Sequence, residues 1–253
     1  YEWVGGHLRN KKLYVPIDFV YYPLSPEGLS RTLLWRGNSS GVASHISREK
    51  AETAAMLELI ERAAFLESWE SGSPPRRIRK SSWPAWISTS ENEIWRPLGV
   101  RVVLLQLPAR LPSVGVALLQ DQWPSVTIGM STRGTFVAAA QKAYMEAAAS
   151  FASAGLIPSQ RIPETSVNSP RDHADRFRWP GSNEELDWFF KGRFVVPGES
   201  PDRGELERVM SDGIFLTLAR SPTFVVRALS TQIEPMWFGH RWAPAGVPLH
   251  CFG

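Results

Sequence analysis

The period of the apolar residues changes several times along the chain, and each change predicts an element. Leu13 to Tyr22 is rich in β-branched and aromatic residues, as a strand would be. Pro23 to Gly28 reads as a turn, and Arg31 to Trp35 resumes an extended pattern. Asn38-Ser39-Ser40-Gly41 is then a small-residue loop, where a backbone turns sharply or approaches a ligand closely. After Ser47, a plausible N-cap followed by Glu49 and Glu52, the period becomes helical. From Ala51 to Trp69 there is no Gly or Pro, and Met56, Leu59, Ile60, Ala63 and Leu66 share one face. Ser71 to Lys80 (SGSPPRRIRK) breaks that helix.

Val100 to Leu107 and Val114 to Leu119 read as buried strands joined by a proline-flanked connection, Pro108 to Pro112. A second helix is predicted from about Thr135 to Ala154, with Gly155 as its C′ stop. Nine of the seventeen residues from Ala138 to Ala154 are alanine, which suits a helix lying close against other backbone. Ile157 to Pro180 reads as loop. Short helices are predicted near Asn183 to Phe190 and Arg203 to Met210, strands at Ile214 to Leu218 and Phe224 to Leu229, and a Pro/Gly-spaced tail from Ala243 to Gly253. With no repeat and no clear linker, the simplest expectation is one α+β domain over residues 1–253, β-sheets packed with helices.

Composition narrows the class. The 253 residues suffice for a substantial core, and 43% hydrophobic with 21% charged residues is globular. A net charge of +3 gives no reason to expect nucleic acid. The single cysteine, Cys251, excludes an intramolecular disulfide framework and a cysteine-rich zinc module, and fits a cytoplasmic, reducing setting. No apolar run approaches the roughly 20 residues of a membrane span, and no signal peptide opens the chain. It begins at Tyr1 and not Met, as a processed or trimmed piece would. Eleven tryptophans against 5 tyrosines leave many large rings to bury, with Trp237 and Trp242 near the tail as candidates to line a groove.

Three charged features stand out. Glu58-x-x-Glu61-Arg62 puts two carboxylates on neighbouring helical surface, suited either to one divalent cation or to a solvated acidic face with Glu67 and Glu70. Glu146 lies in an apolar helix, where it must be paired, coordinated or protonated; Lys142 four residues earlier is the local alternative to a cation shared with the first helix. Three such carboxylates would suit Mg²⁺, a hard cation that often bridges nucleotide phosphates. Arg227, inside Phe224-Val225-Val226-Arg227-Ala228-Leu229, calls either for an anionic ligand or for an edge strand. The basic run Pro74 to Lys80 reads as a solvated loop, and the five histidines lack metal-ligand spacing. There is no P-loop, dinucleotide fingerprint, HExxH or GxSxG.

In their order these pieces resemble the YcaO family. Leu13-Tyr14-Val15-Pro16 is similar to the extended Val-Pro segment near the family's start, and Ser39-Ser40-Gly41-Val42-Ala43-Ser44 to its Ser-Asn-Gly-x-Ala-x-Gly loop. Ala54 to Phe65 resembles its Glu-x-x-Glu-Arg helix, and Ala139 to Ser150 its second Glu-bearing helix. Asp172-His173, then Val226-Arg227-Ala228 through Pro235 and Phe238-Gly239, follow in the family's order. The resemblance implies an α+β YcaO-like domain that uses ATP and Mg²⁺ to phosphorylate a backbone amide oxygen of a ribosomally made precursor peptide. A Cys, Ser or Thr side chain then attacks to give an azoline; other branches use sulfide or an amine to give thioamides or amidines. It further implies that Glu58, Glu61 and Glu146 hold Mg²⁺ and ATP, and that Arg62 and Arg227 contact phosphates. A ThiF-like or leader-binding partner protein is expected, with room for a homodimer and with neither nucleic acid nor membrane. The chain departs from the pattern at Ala54, Ala139, Ala149 and Phe151, where the family carries polar residues, and its tail Pro248 to Gly253 only partly matches the Pro-His-Pro-Phe-Pro ending. These changes keep a second reading open: a weakened or non-catalytic scaffold that binds peptide or an active partner.

Overall fold

The computed structural model describes residues 3–8, 11–20, 38–156, 163–198, 203–233, 236–238 and 244–251. The predicted Pro23 to Gly28 turn and Arg31 to Trp35 strand lie outside these residues, as do Pro235, Gly239 and Trp242. In chain order the first elements are β1 (Trp3–Leu8), β2 (Lys11–Pro16), β3 (Val42–His45), α1 (Arg48–Glu70), β4 (Arg76–Ile78) and α2 (Ala85–Ser90). Next come β5 (Arg101–Gln106), β6 (Ser113–Leu119), β7 (Val126–Thr132), α3 (Phe136–Leu156), α4 (Pro170–Arg178) and α5 (Ser182–Glu185). The last are β8 (Phe194–Val195), α6 (Arg203–Ser211), β9 (Gly213–Ala219) and β10 (Phe224–Ser230).

These elements form two compact units, residues 1–63 with 202–237, and residues 64–201 with 238–253. The first unit holds an antiparallel sheet in the order β2-β1-β9-β10-β3. Pairing of Val4 with Val15 and of Gly6 with Leu13 sets the register of the opening hairpin. That register collects Val4, Leu8, Leu13 and Val15 with Val20, Ile214, Leu216 and Leu229 into one apolar cluster. β1 contains Gly5-Gly6, which carries no strand propensity, so periodicity does not reveal it. β3 follows the small-residue loop directly and is the sheet's edge. β10 is not an edge strand: it pairs with β9 on one side and β3 on the other. The edge-strand account of Arg227 is therefore wrong.

The second unit holds the sheet β7-β6-β5-β4-β8, antiparallel except for the β4–β8 pair. α3 lies against this sheet, and its alanines explain how. Ala139, Ala140, Ala143 and Ala147 are fully buried, and a Cβ at Gly129 of β7 would stand 2.1 Å from the Ala143 carbonyl oxygen. Only glycine admits that approach. Helix α3 also runs through Gly155 to Leu156 with no positive φ there, so Gly155 is a helical residue and not the predicted stop.

Two more readings change. The stretch Ile157 to Pro180, read as loop, contains α4, started by a capping box. Ser169 Oγ accepts from the Asp172 amide at 3.2 Å, and Asp172 Oδ2 accepts from the Ser169 amide at 2.9 Å, with Pro170 at the first helical position. Likewise the basic run is no mere loop, since Arg76 to Ile78 form β4. The tryptophans divide: of the nine described, four are buried, four are half-buried and Trp3 is exposed. Trp69, Trp83, Trp95 and Trp237 are buried, and Trp237 is thus unavailable to line a groove. Trp69 stacks with Phe65 and meets Phe177, Trp188 and Phe189, while its Nε1 donates to the Pro248 carbonyl at 2.9 Å.

Candidate functional site

The loop, the helix and the strand singled out in the sequence meet in the first unit. Residues 38–41 turn tightly ahead of β3, and Gly41 at the end of that turn has φ +71°. A Cβ there would lie 2.5 Å from the Ala228 carbonyl oxygen, and the Ala228 amide donates to the Gly41 carbonyl at 2.8 Å. The turn is thus seated directly on β10, one residue from Arg227. From α1, Arg62 reaches the same turn: Nη1 donates to Ser40 Oγ at 3.0 Å and to Ser39 Oγ at 3.4 Å. Its Nη2 pairs with Glu58, one turn back on α1, at 2.8 Å. Glu61 is buried, only 6% exposed. A solvated acidic face does not describe this stretch, although Glu67 and Glu70 further along are exposed.

Arg227 is the most unusual group. It is 1% exposed and sits in an interior strand, between β9 and β3. Nη1 donates to the Asn38 carbonyl at 2.5 Å and to the Val20 carbonyl at 3.4 Å. Its Nε and Nη2 find no hydrogen-bond acceptor among the described residues. Burial lowers the guanidinium pKa to about 10, partly offset by the carboxylate of Glu58 and reinforced by the charge of Arg62. Glu58, Arg62 and Arg227 therefore share one electrostatic environment. A buried guanidinium with two open donors and a second cation nearby is built to receive an anion with several oxygens. Hydroxyls from Ser39 and Ser40 and the tight turn at Gly41 add to that donor set. These residues fit a polyphosphate.

Glu146 is placed differently. It belongs to the second unit, on α3, with its side chain 36% exposed and paired with Lys142. The local alternative weighed for it is what the structure contains. Among the described residues, no three His, Cys, Asp or Glu side chains gather closely enough to hold a metal ion. Ala149 is exposed, whereas Phe151 packs edge-on against Trp95 at 5.3 Å. Two histidines are neither surface nor isolated. His173 and His250 are fully buried with ring centroids 4.3 Å apart, and His173 Nδ1 is 2.9 Å from the His250 carbonyl oxygen. Burial pushes the Cys251 thiol well above its ordinary range, as suits an inert structural cysteine. No helix among the described residues is long and apolar enough to cross a membrane. Sequence reasoning missed Asn38 as an individual, although it marked the loop; its signal is a carboxamide opening a Ser-Ser-Gly turn.

Comparison with known proteins adds a family and a fold. Residues 2–215 match the family model described as YcaO cyclodehydratase, ATP- and Mg²⁺-binding. A heterocyclase solved with substrate and cofactor superimposes with a TM-score of 0.71 at 16% identity, covering 93% of this chain and 33% of that one. The YcaO protein of Methanopyrus kandleri, bound with AMPPCP and Mg²⁺, gives 0.68 at 19% identity, covering 90% and 63%. A chain of the E. coli microcin synthetase McbBCD complex with pro-MccB17 bound gives 0.68 at 15% identity, covering 92% and 64%. At these identities the likeness is one of fold, α with β in two sheets. The chain spans about a third of the first of these proteins and under two thirds of the other two.

Proposed function

This chain belongs to the YcaO family, an ATP- and Mg²⁺-binding family, and from that premise we propose that it activates backbone amides of a ribosomally made precursor peptide for cyclodehydration. The observation that carries the reading is Arg227, a fully buried guanidinium whose Nε and Nη2 have no acceptor among the described residues. Leaving such donors unmet costs about 1–3 kcal/mol, more for a charged group, and an arriving phosphate oxygen recovers that loss. Arg227 and Arg62 are the phosphate contacts in this reading. Glu58 keeps Arg62 oriented across one helical turn, and the Ser39 and Ser40 hydroxyls hold its other edge.

Glu58, Glu61 and Glu146 are proposed as the carboxylates that hold Mg²⁺. For Glu146 this requires giving up Lys142, an exposed pairing that contributes little, about 0–1 kcal/mol. ATP, when bound, supplies the phosphoryl group that activates an amide oxygen, so that a Cys, Ser or Thr side chain closes an azoline ring. The two arginines balance the charge that grows on the phosphate oxygens. The precursor peptide, a ThiF-like or leader-binding partner protein and a cytoplasmic setting belong to the same proposal. The heterocyclase solved with substrate and the microcin synthetase complex with pro-MccB17 support the peptide and a partner subunit, and the single, buried Cys251 supports the cytoplasmic setting.

A second reading, a scaffold that binds peptide or an active partner without hydrolysing ATP, is favoured by one observation. The position where the family carries a polar residue is occupied by Phe151, which is part of the aromatic packing around Trp95. Calorimetric titration with Mg²⁺-ATP separates the two. The first reading expects binding in the parent and at least a tenfold loss in Glu61→Gln. No measurable affinity in the parent leaves the scaffold. Mass spectrometry of a co-expressed precursor peptide then reads the chemistry as the loss of one water per ring.

A further inference from the structure

We infer that Asn38 is the positioning residue of this site: it sets where the Arg227 guanidinium stands, without itself touching phosphate. The inference rests on the reading of Arg227 as a phosphate contact. Asn38 is buried, 4% exposed, and its side-chain amide, its Oδ1 and its backbone carbonyl each bind a different part of the first unit. Its side-chain amide donates to the Met236 carbonyl, beyond the end of β10. Its Oδ1 accepts from the Ser40 amide at 2.8 Å, closing the turn that presents the two serine hydroxyls to Arg62. Its backbone carbonyl takes the short 2.5 Å bond from Arg227 Nη1. Asn38 thus ties the serine turn, the segment after β10 and the buried cation into one network.

The physical consequence follows from what Arg227 lacks. Its other acceptor, the Val20 carbonyl, is distant at 3.4 Å, and Nε and Nη2 have none among the described residues. A long side chain held by one good bond takes its direction from that bond. The Asn38 carbonyl occupies one edge of the planar guanidinium, which commits Nη1 and leaves the remaining donors for a ligand. Truncating the Asn38 side chain keeps the carbonyl but releases the turn that places it. Serine, threonine or aspartate at this position can close the turn by accepting from the Ser40 amide, as Asx and hydroxyl turns do. None of them can also donate to Met236 through a carboxamide.

The test is a double-mutant cycle on the full chain, read by calorimetric titration with Mg²⁺-ATP well below Tm, so that only folded protein is counted. Asn38→Ala is expected to weaken ATP at least tenfold in the parent and less than twofold in the Arg227→Lys background, where the guanidinium it orients is gone. Asn38→Asp, which keeps the Oδ1 acceptor, is expected to lose less than Asn38→Ala. Equal tenfold losses in both backgrounds, or unchanged affinity in Asn38→Ala, overturn the inference. If Asn38→Ala does not fold, Asn38→Asp completes the cycle, and its loss must again vanish beside Arg227→Lys. A parent that fails to bind ATP defeats the functional reading itself; a parent that binds while the cycle shows no coupling defeats only the role of Asn38.

Discussion

Arg227 and Glu146 each interrupt an apolar stretch with one charge, yet the two surroundings treat that charge in opposite ways. Arg227 sits in an interior strand, 1% exposed, with Nε and Nη2 of its guanidinium unmet among the described residues. Glu146 sits on a helix whose other face is buried, keeps its side chain 36% exposed and is paired with Lys142. The difference comes from the element. A strand with neighbours on both sides offers a side chain only the two faces of the sheet, whereas a helix packed through alanines still has a wet side. An isolated charge in an apolar run is therefore forced to find its partners inside the protein in an interior strand, whereas in a helix it can turn to water.

The largest expected effect tests the helix. Gly129→Val would drive side-chain atoms into the α3 backbone at Ala143 and Ala147, and should cost at least about 3 kcal/mol, read as loss of soluble protein or a steep fall in Tm. The equivalent break on the other side is Gly41→Ala. Positive φ and the 2.5 Å approach to the Ala228 carbonyl predict a loss of about 1–3 kcal/mol in chemical denaturation, together with weaker ATP binding. Should Gly41→Ala unfold no more easily than the parent, the turn is not held against β10.

Arg227→Met sharpens the contrast, because stability and binding should move apart. Replacing a buried charge by an apolar chain of similar length should stabilise the ligand-free protein by about 1 kcal/mol or more while removing ATP affinity. The sign with pH follows from the lowered pKa. Burial disfavours the charged form, so the penalty is fully present below pH about 10 and is relieved as pH rises above it toward the ordinary arginine range. The advantage of Arg227→Met should shrink over that window. Glu146→Gln is the smallest change, within about 0.5 kcal/mol in denaturant, since the pair it breaks is exposed. A drop in Mg²⁺-ATP affinity without a drop in stability would mark Glu146 as a metal ligand; unchanged affinity would leave it to Lys142.

The helices that carry the candidate carboxylates were legible as long stretches free of Gly and Pro up to their last turns, and the strands β5, β6, β9 and β10 as apolar runs bounded by turn residues. What stayed hidden has local physical reasons. β1 carries two adjacent glycines, β4 is a three-residue strand inside a run of arginines, and α4 lies among prolines and serines, where only its Ser-Pro-Arg-Asp capping box gives it away. For the site, residue type identified Glu58, Glu61, Arg62 and Arg227. The network through Asn38 was not legible, because it joins residues separated by 189 and 198 positions, and a single sequence carries no record of such pairs. The interior place of β10 was hidden for the same reason.

The pairing of β1 with β9 sets a schedule for the making of this protein. Leu8 lies opposite Ile214, so the opening hairpin leaves the ribosome about two hundred residues before its neighbour in the sheet exists. At about 5–20 residues per second that is an interval of roughly 10–40 s. During it the apolar faces of Val4, Leu8, Leu13 and Val15 have no β9 to cover them. In the second sheet β5, β6 and β7 are consecutive hairpin neighbours complete by Thr132, and only the two-residue β8 joins later, beside β4. The sheet that holds Arg227 is thus the later of the two to be complete, and its early hairpin is where a chaperone would find exposed surface to hold.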